Sequence, residues 1–204
     1  MAVQMPAAFV LASASPRRRE LLAQIGIVPT LVLGPDIDET PGRDESPRDY
    51  VRRIARAKAQ AGIERALEAP ELAAGTAFAL LACDTTVAVG RRILGKPRDR
   101  DDAGCMIDLL SGRRHHVLSS VVLRRPDGGL AERLVDSAVT FARLSAAQRD
   151  AALESGEWNG KAGGYAIQGA AASLIRFLSG SYSNVVGLPL FETAQLLRGA
   201  NLLA

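Results

Sequence analysis

The chain has 204 residues, 48% hydrophobic and 23% charged, which is enough apolar matter for one large core or two small lobes and excludes a disordered polypeptide. No apolar run approaches the roughly 20 residues of a membrane span, so no membrane partner is expected and a cytoplasmic location is. The net charge of +3 favours anionic ligands, but no long basic run or aromatic-interleaved patch is present, and nucleic acid is not an expected partner.

In chain order, Ala7 to Ser15 has the small-residue look of a signal peptide. It lacks a basic leader, and Pro16 with three arginines follows at once, so Phe9 to Ala14 reads as a first buried strand. Ser15 and Pro16 then open a helix as N-cap and N1, with Leu21, Leu22 and Ile25 as its apolar face and Gly26 as its stop. Pro29 to Leu33 reads as a second strand running into the acidic turn Asp36 to Glu39. Ser46 and Asp49 form a capping box for a long helix to about Leu67. Ala77 to Cys83 is an apolar strand that ends at Asp84, and Val87 to Leu94, broken at Gly90, suggests a hairpin.

A helix over Asp101 to Leu110 stops at Gly112. Val117 to Leu123 and Leu130 to Phe141 flank a Pro-Asp-Gly-Gly turn and should pair. Ser145 with Gln148 caps another helix, ending near Gly156. The glycine-rich stretch Gly160 to Gly169 follows, then a strand near Leu174 to Leu178 and a final helix over Phe191 to Arg198. Helices and strands interleave, but two hairpins interrupt them, so the sheet is expected to be mixed. No linker marks a boundary, so a single domain over residues 1–204 is expected, with residues 112–145 contributing to a second lobe.

Cys83 and Cys105 lie in no metal-ligand spacing and read as reduced core thiols. With only His115 and His116, a multi-histidine zinc site is not expected. The lysines say more. Of 25 basic residues only Lys58, Lys96 and Lys161 are lysine, the rest arginine. A chain this biased keeps lysine where a compact point charge cannot be replaced by a planar fork, so the three are candidate phosphate contacts, chance retention being the alternative.

Five groups of residues could carry chemistry. Ser13, Ser15, Arg17 and Arg18 surround a helix N-terminus, where backbone N–H groups and the helix dipole favour an anion. The alternative is a well-capped helix with a solvated basic turn, but arginine is unfavourable at a positive helix end unless an anion sits there. Lys58 shares the inward face set by Val51, Ile54, Ala55 and Ala61, and either snorkels outward or points into a cleft. Asp84, delivered by an apolar strand, could ligate a metal, act as general base toward water, or start an Asx turn. Lys96 stands before Pro97 in a stiffened turn, and an ordinary surface lysine is the other reading. Gln168 closes a glycine-rich loop that fits neither G-x-G-x-x-G nor a P-loop, and its amide is suited to a base edge.

Taken together, these motifs resemble the Maf family of nucleotide pyrophosphatases over nearly the whole chain. The matching segments are Leu11 to Arg18, Asp38-Glu39, Arg56 to Ala59, Asp84-Thr85, Lys96-Pro97, Leu110 to Gly112 with His115, Lys161 to Gly169 and Asn184 to Pro189. All three lysines fall inside them. The resemblance implies an α/β fold with a mixed twisted sheet and flanking helices, elongated and two-lobed like inosine triphosphatases, with a central cleft. It implies metal-dependent cleavage between the α- and β-phosphates, with Asp84 at the position assigned as proton acceptor. Arg17, Thr85 and Gln168 match positions associated with nucleotide preference, and the Ala-Ile-Gln-Gly form of the late loop looks like the subgroup acting on dTTP and UTP. Two departures stand out: Asn159-Gly160 before Lys161, where aspartate is frequent, and Ser119 where threonine is common.

The expected mechanism places Mg²⁺ or Mn²⁺ on Glu39 and Asp84, and phosphate oxygens on Ser13, Arg17, Arg18, Lys58, Lys96 and Lys161. Thr85 and Gln168 then recognise the pyrimidine. A homodimer is expected by resemblance only. The rivals are a non-catalytic nucleotide- or nucleic-acid-binding regulator of cell division, and a pyrophosphatase for modified nucleotides.

Overall fold

The computed structural model describes residues 8–73 and 75–203; Ala7, where the signal-like stretch begins, lies outside them. Strands are β1 (Ala8–Ala12), β2 (Leu31–Leu33), β3 (Phe78–Val89), β4 (Arg92–Leu94), β5 (Arg114–Arg124), β6 (Leu130–Phe141) and β7 (Ile175–Ser179). Helices are α1 (Pro16–Gln24), α2 (Pro47–Glu68), α3 (Arg100–Leu110), α4 (Ala146–Glu154), α5 (Tyr182–Val186) and α6 (Leu190–Gly199). The strands hydrogen-bond in the order β2-β1-β3-β5-β6-β7, with β4 on β3. β1 is parallel to β2 and to β3, whereas β3–β4 and β6–β7 are antiparallel, so the sheet is mixed as the two hairpins imply.

The chain forms two compact units. The first comprises residues 1–84, 119–135 and 187–204, the second residues 85–118 and 136–186. The stretch 112–145 is thus shared between them, and β3, β5 and β6 carry residues of both.

In the first unit, β1 is buried along its whole length and pairs with β3 from Ala8–Phe78 to Ala12–Ala82. α2 covers this pair with small residues: Ala55, Ala59 and Ala66 pack on Val10, Ala12, Phe78 and Leu80. The inward face contains Gly62 where Ala61 was expected, because Ala61 is half-buried and Gly62 fully so. A Cβ at Gly62 would lie 2.6 Å from the Ala12 Cβ and 3.3 Å from Leu80 Cδ1, so glycine sets how closely helix and sheet approach. Ser46 caps α2 by accepting from Asp49 N–H at 3.2 Å, but the expected reciprocal bond is absent: the Asp49 carboxylate takes the Ser46 hydroxyl at 2.6 Å instead. Aspartate is too short to reach back as glutamate does.

In the second unit, α3 and α4 enclose Ala103, Ile107 and Leu153, with Trp158 against them. Asp99 caps α3, and Ser145 with Gln148 makes the full capping box on α4. His115 is fully buried, its Nε2 lies 2.8 Å from the Tyr165 hydroxyl, and both rings meet Phe141 edge-on. Burial, reinforced by His116, pushes the His115 pKa down to about 4. Asn184, also fully buried, donates to Val117 O and to Ser137 Oγ, both at 2.9 Å.

Two further local expectations fail, and one short helix is new. Cys83 is buried but Cys105 is exposed on α3, and both are free thiols. β3 does not end at Asp84 but continues through the β-forming run Thr85-Thr86-Val87 to its hairpin with β4. The five-residue α5 gives no periodic signal and was not anticipated.

Gly62→Ala is expected to cost about 1–3 kcal/mol by overpacking, read as a lower urea midpoint with unchanged m-value. His115 stays neutral in the native state while the unfolded chain takes up a proton near pH 6.5, so its contribution to stability is complete above that pH and is lost as pH falls toward 4. Urea unfolding at pH 7.5 and 4.5 checks this: the wild type should lose on the order of 2–3 kcal/mol more than His115→Gln over that interval.

Candidate active site

Asp84 lies two residues beyond Ala82, the last β3 residue paired with β1, so it leaves the buried parallel segment at the same end as Ser13 leaves β1. Its side chain is 8% exposed. Lys58 stands four residues before Gly62 on the same face of α2, one turn beyond the close helix–sheet contact, and so over that strand end. It neither snorkels nor points at open space. Its Nζ lies 2.6 Å from Asp84 Oδ1 and 2.8 Å from Glu39 Oε1, with the lysine side chain 12% exposed. One ammonium therefore bridges two carboxylates.

Glu39 sits on the irregular segment between β2 and α2, and the first two turns of α2 tie that segment down. The Tyr50 hydroxyl donates to Glu39 O at 2.9 Å. Arg53 donates to Thr40 O at 3.0 Å and grips Glu45 through Nε and Nη2 at 2.7 and 2.8 Å. The Arg53 bonds hold the Glu45 carboxyl down at about 2, and Glu45 in turn accepts from Gly42 N–H at 2.8 Å. Burial, then the charges of Asp84 and Glu39, push the Tyr50 phenol up to about 12, so it stays a hydrogen-bond donor. Tyr50 escaped the sequence reading; its position two helical turns before Lys58 on the buried face was the available signal.

At the β1–α1 junction Ser13 is buried and Ser15 is half-buried. Ser15 is the N-cap by position, yet its side chain makes no capping bond. The Ser13 hydroxyl accepts instead, from Ser15 N–H at 3.2 Å and from Arg18 Nη1 at 2.9 Å. Arg18 also donates Nε to Gly187 O at 2.9 Å, a carbonyl the Cys83 thiol approaches at 3.6 Å. In this structure Arg18 therefore braces Ser13 and the Gly187 turn. A long side chain beside a buried acceptor takes it, which spacing alone does not reveal. Arg17 is half-buried beside it, and burial followed by the Arg18 charge lowers its pKa. Two adjacent guanidiniums and a helix N-terminus make a place where an anion relieves repulsion.

The other candidates, Thr85, Lys96, Lys161 and Gln168, belong to the second unit. Gly163 N–H donates to Gly95 O at 3.0 Å, which brings the Lys96 and Lys161 loops side by side. Gly163, with φ of +72°, packs so closely that an added Cβ would lie 2.9 Å from Val87 Cγ1. Lys96 is exposed, Pro97 beside it is buried, Lys161 and Thr85 are half-buried, and Gln168 is exposed.

Glu39 and Asp84 both reach one Nζ, so two hard oxygen donors converge on a single cationic group. Among the described residues no group of three His, Cys, Asp or Glu side chains gathers as a metal site. Two carboxylates suit Mg²⁺ or Mn²⁺, which take one or two protein oxygens and complete their shells with water and phosphate oxygens.

Residues 8–200 match the family described as Maf-like protein. A dTTP/UTP pyrophosphatase of Granulibacter bethesdensis is 59% identical over 196 residues, covering 93% of this chain and 92% of its own. One from Sphingopyxis alaskensis is 58% identical over 193 residues, covering 95% and 96%. Among solved structures, the dITP/XTP pyrophosphatase of Mycobacterium abscessus aligns at 19% identity with a TM-score of 0.37, over 68% of this chain and 76% of that one. No helix among the described residues is long and apolar enough to cross a membrane.

Removing Lys58 leaves two facing carboxylates, one of them buried. Lys58→Met is expected to destabilise the protein by about 3 kcal/mol, and Lys58→Met with Asp84→Leu to recover most of that loss, because deleting both charges removes the uncompensated one. Urea denaturation of the two variants checks this.

Proposed function

The chain belongs to the Maf family, and from that premise we propose that it hydrolyses nucleoside triphosphates, dTTP and UTP foremost, to the monophosphate and pyrophosphate. The observation that carries this reading is the convergence of Glu39, Lys58 and Asp84, an arrangement of charge suited to a polyphosphate and its counter-ion. The names of the relatives that share half or more of its residues support the choice of nucleotide.

In the proposed reaction a water oxygen attacks the α-phosphorus, the bond from that phosphorus to the α–β bridging oxygen breaks, and pyrophosphate leaves with the bond electrons. Asp84 receives the water proton at a carboxylate oxygen. Its buried position on β3 and its contact with Lys58 fix that oxygen. Lys58, released from a carboxylate, offers its ammonium to phosphate oxygens. Arg17, with the braced Ser13 and Arg18, binds the phosphate chain at the α1 N-terminus. Lys96 and Lys161 take further phosphate oxygens, and Thr85 and Gln168 read the base. Glu39 and Asp84 are the residues that would hold Mg²⁺ or Mn²⁺, which when bound neutralises triphosphate charge and acidifies water. A cytoplasmic setting, where nucleoside triphosphates are made and used, fits this activity.

Asp84→Asn, assayed with dTTP and manganese, should lower kcat by about 10²–10⁴-fold, the usual worth of a positioned proton acceptor. Near-normal pyrophosphate release by this variant removes Asp84 from the mechanism. Pyrophosphate release across dTTP, UTP, the other common triphosphates and modified-base triphosphates should peak with the first two.

A further inference from the structure

The loop that carries Gln168 has an acidic anchor. α4 ends at Glu154, Gly156 turns the chain at φ +68°, and Glu157 follows. Its neighbours fix it: Glu157 N–H donates to Ser155 Oγ at 3.2 Å, and Trp158, packed against the α3–α4 core, donates Nε1 to Leu153 O at 2.9 Å. From this base the Glu157 side chain crosses to the far end of the loop, where Oε2 accepts Ala170 N–H at 2.8 Å.

The carboxylate lies flat on Gly169. A Cβ added there would sit 1.9 Å from Oε2 and 2.5 Å from Cδ. Gly169 has φ of −107°, which any residue adopts, so the nearest obstacle to a Cβ there is the carboxylate, the movable end of a flexible side chain. Ala170 opens a 3-10 turn through Leu174, and a carboxylate on its first N–H makes a charge-assisted bond. Gln168 is the residue between buried Ile167 and the clamped Gly169.

We propose that Glu157 is the positioning residue for base recognition: by gripping Gly169 and Ala170 it fixes the backbone from which the Gln168 amide meets the pyrimidine. The proposal rests on the reading of Gln168 given above. Thymine and uracil present an N–H donor at N3 beside a carbonyl acceptor at C4, whereas cytosine presents an acceptor at N3 beside an amino donor. A glutamine amide turned over exchanges its own donor and acceptor. Only a glutamine held in one orientation rejects cytosine, since the wrong base then leaves polar groups unpaired.

The test measures kcat and KM for dTTP and dCTP, with melting temperature, in the wild type and in Glu157→Ala, Glu157→Gln, Gly169→Ala and Gln168→Ala. Glu157→Ala should raise the KM for dTTP and cut the dTTP-over-dCTP preference in kcat/KM by about tenfold, roughly the worth of one directed hydrogen bond. Glu157→Gln, whose amide oxygen can still accept from Ala170, should restore most of that preference. Gly169→Ala, which displaces the carboxylate without deleting it, should lose preference as Glu157→Ala does. If Gln168→Ala collapses the preference while Glu157→Ala and Gly169→Ala lower both activities equally, Glu157 only caps a turn and the proposal is overturned. If Gln168→Ala itself leaves the preference intact, the reading of Gln168 falls and takes the proposal with it.

Discussion

A buried carboxylate must be paired, and the first unit of this protein is organised around how Asp84 meets that demand. The strand that carries it is apolar up to Cys83 and the Asp84 side chain is 8% exposed, so the charge sits where water cannot solvate it well. A single ammonium offsets it, and the same ammonium draws in Glu39. Three features that look unrelated in the sequence converge there. Gly62 lets α2 approach the sheet, which sets the height of Lys58. Tyr50 and Arg53 hold the irregular segment, which sets the place of Glu39. Register with β1 puts Asp84 at the strand end shared with Ser13.

An arrangement of two carboxylates around one lysine is poised rather than inert. Each carboxylate has a second possible partner in a divalent cation, and the lysine has one in phosphate. In the proposed reaction both alternatives arrive with the nucleotide, and the resting pairing is exchanged for the loaded one. Replacing a buried ion pair by packed hydrophobic side chains is often neutral or stabilising, so stability alone does not account for these charges. In the second unit, Gly163 combines a left-handed backbone with close packing on Val87, and Gly169 leaves room for the Glu157 carboxylate.

Much of this was legible from residue order. Apolar periodicity and turn residues locate the main helices and strands, and the mixed sheet follows from the two hairpins. The rarity of lysine points to Lys58, Lys96 and Lys161 alike, and geometry places Lys58 on Glu39 and Asp84. What the order of residues hides is contact across distance. Arg18 has the spacing of a phosphate ligand, but whether its guanidinium meets solvent or Gly187 O depends on a turn 169 positions away. The apolar run stops at Cys83, which makes Asp84 read as the strand's end, whereas the β-branched residues after it extend β3 to Val89. Cys105 shares a helix with buried residues but falls on its outer face. Glu157 carries no motif of its own, and only its reach to Ala170 distinguishes it from any surface glutamate.

The most direct measurement is a crystal structure with Mn²⁺ and a dTTP analogue whose α–β bridging oxygen is replaced by NH. The account predicts electron density for the ion on the Glu39 and Asp84 carboxylates, with the Lys58 ammonium withdrawn from at least one of them onto a phosphate oxygen. An ammonium still bonded to both carboxylates, with ion and triphosphate bound elsewhere, would contradict it.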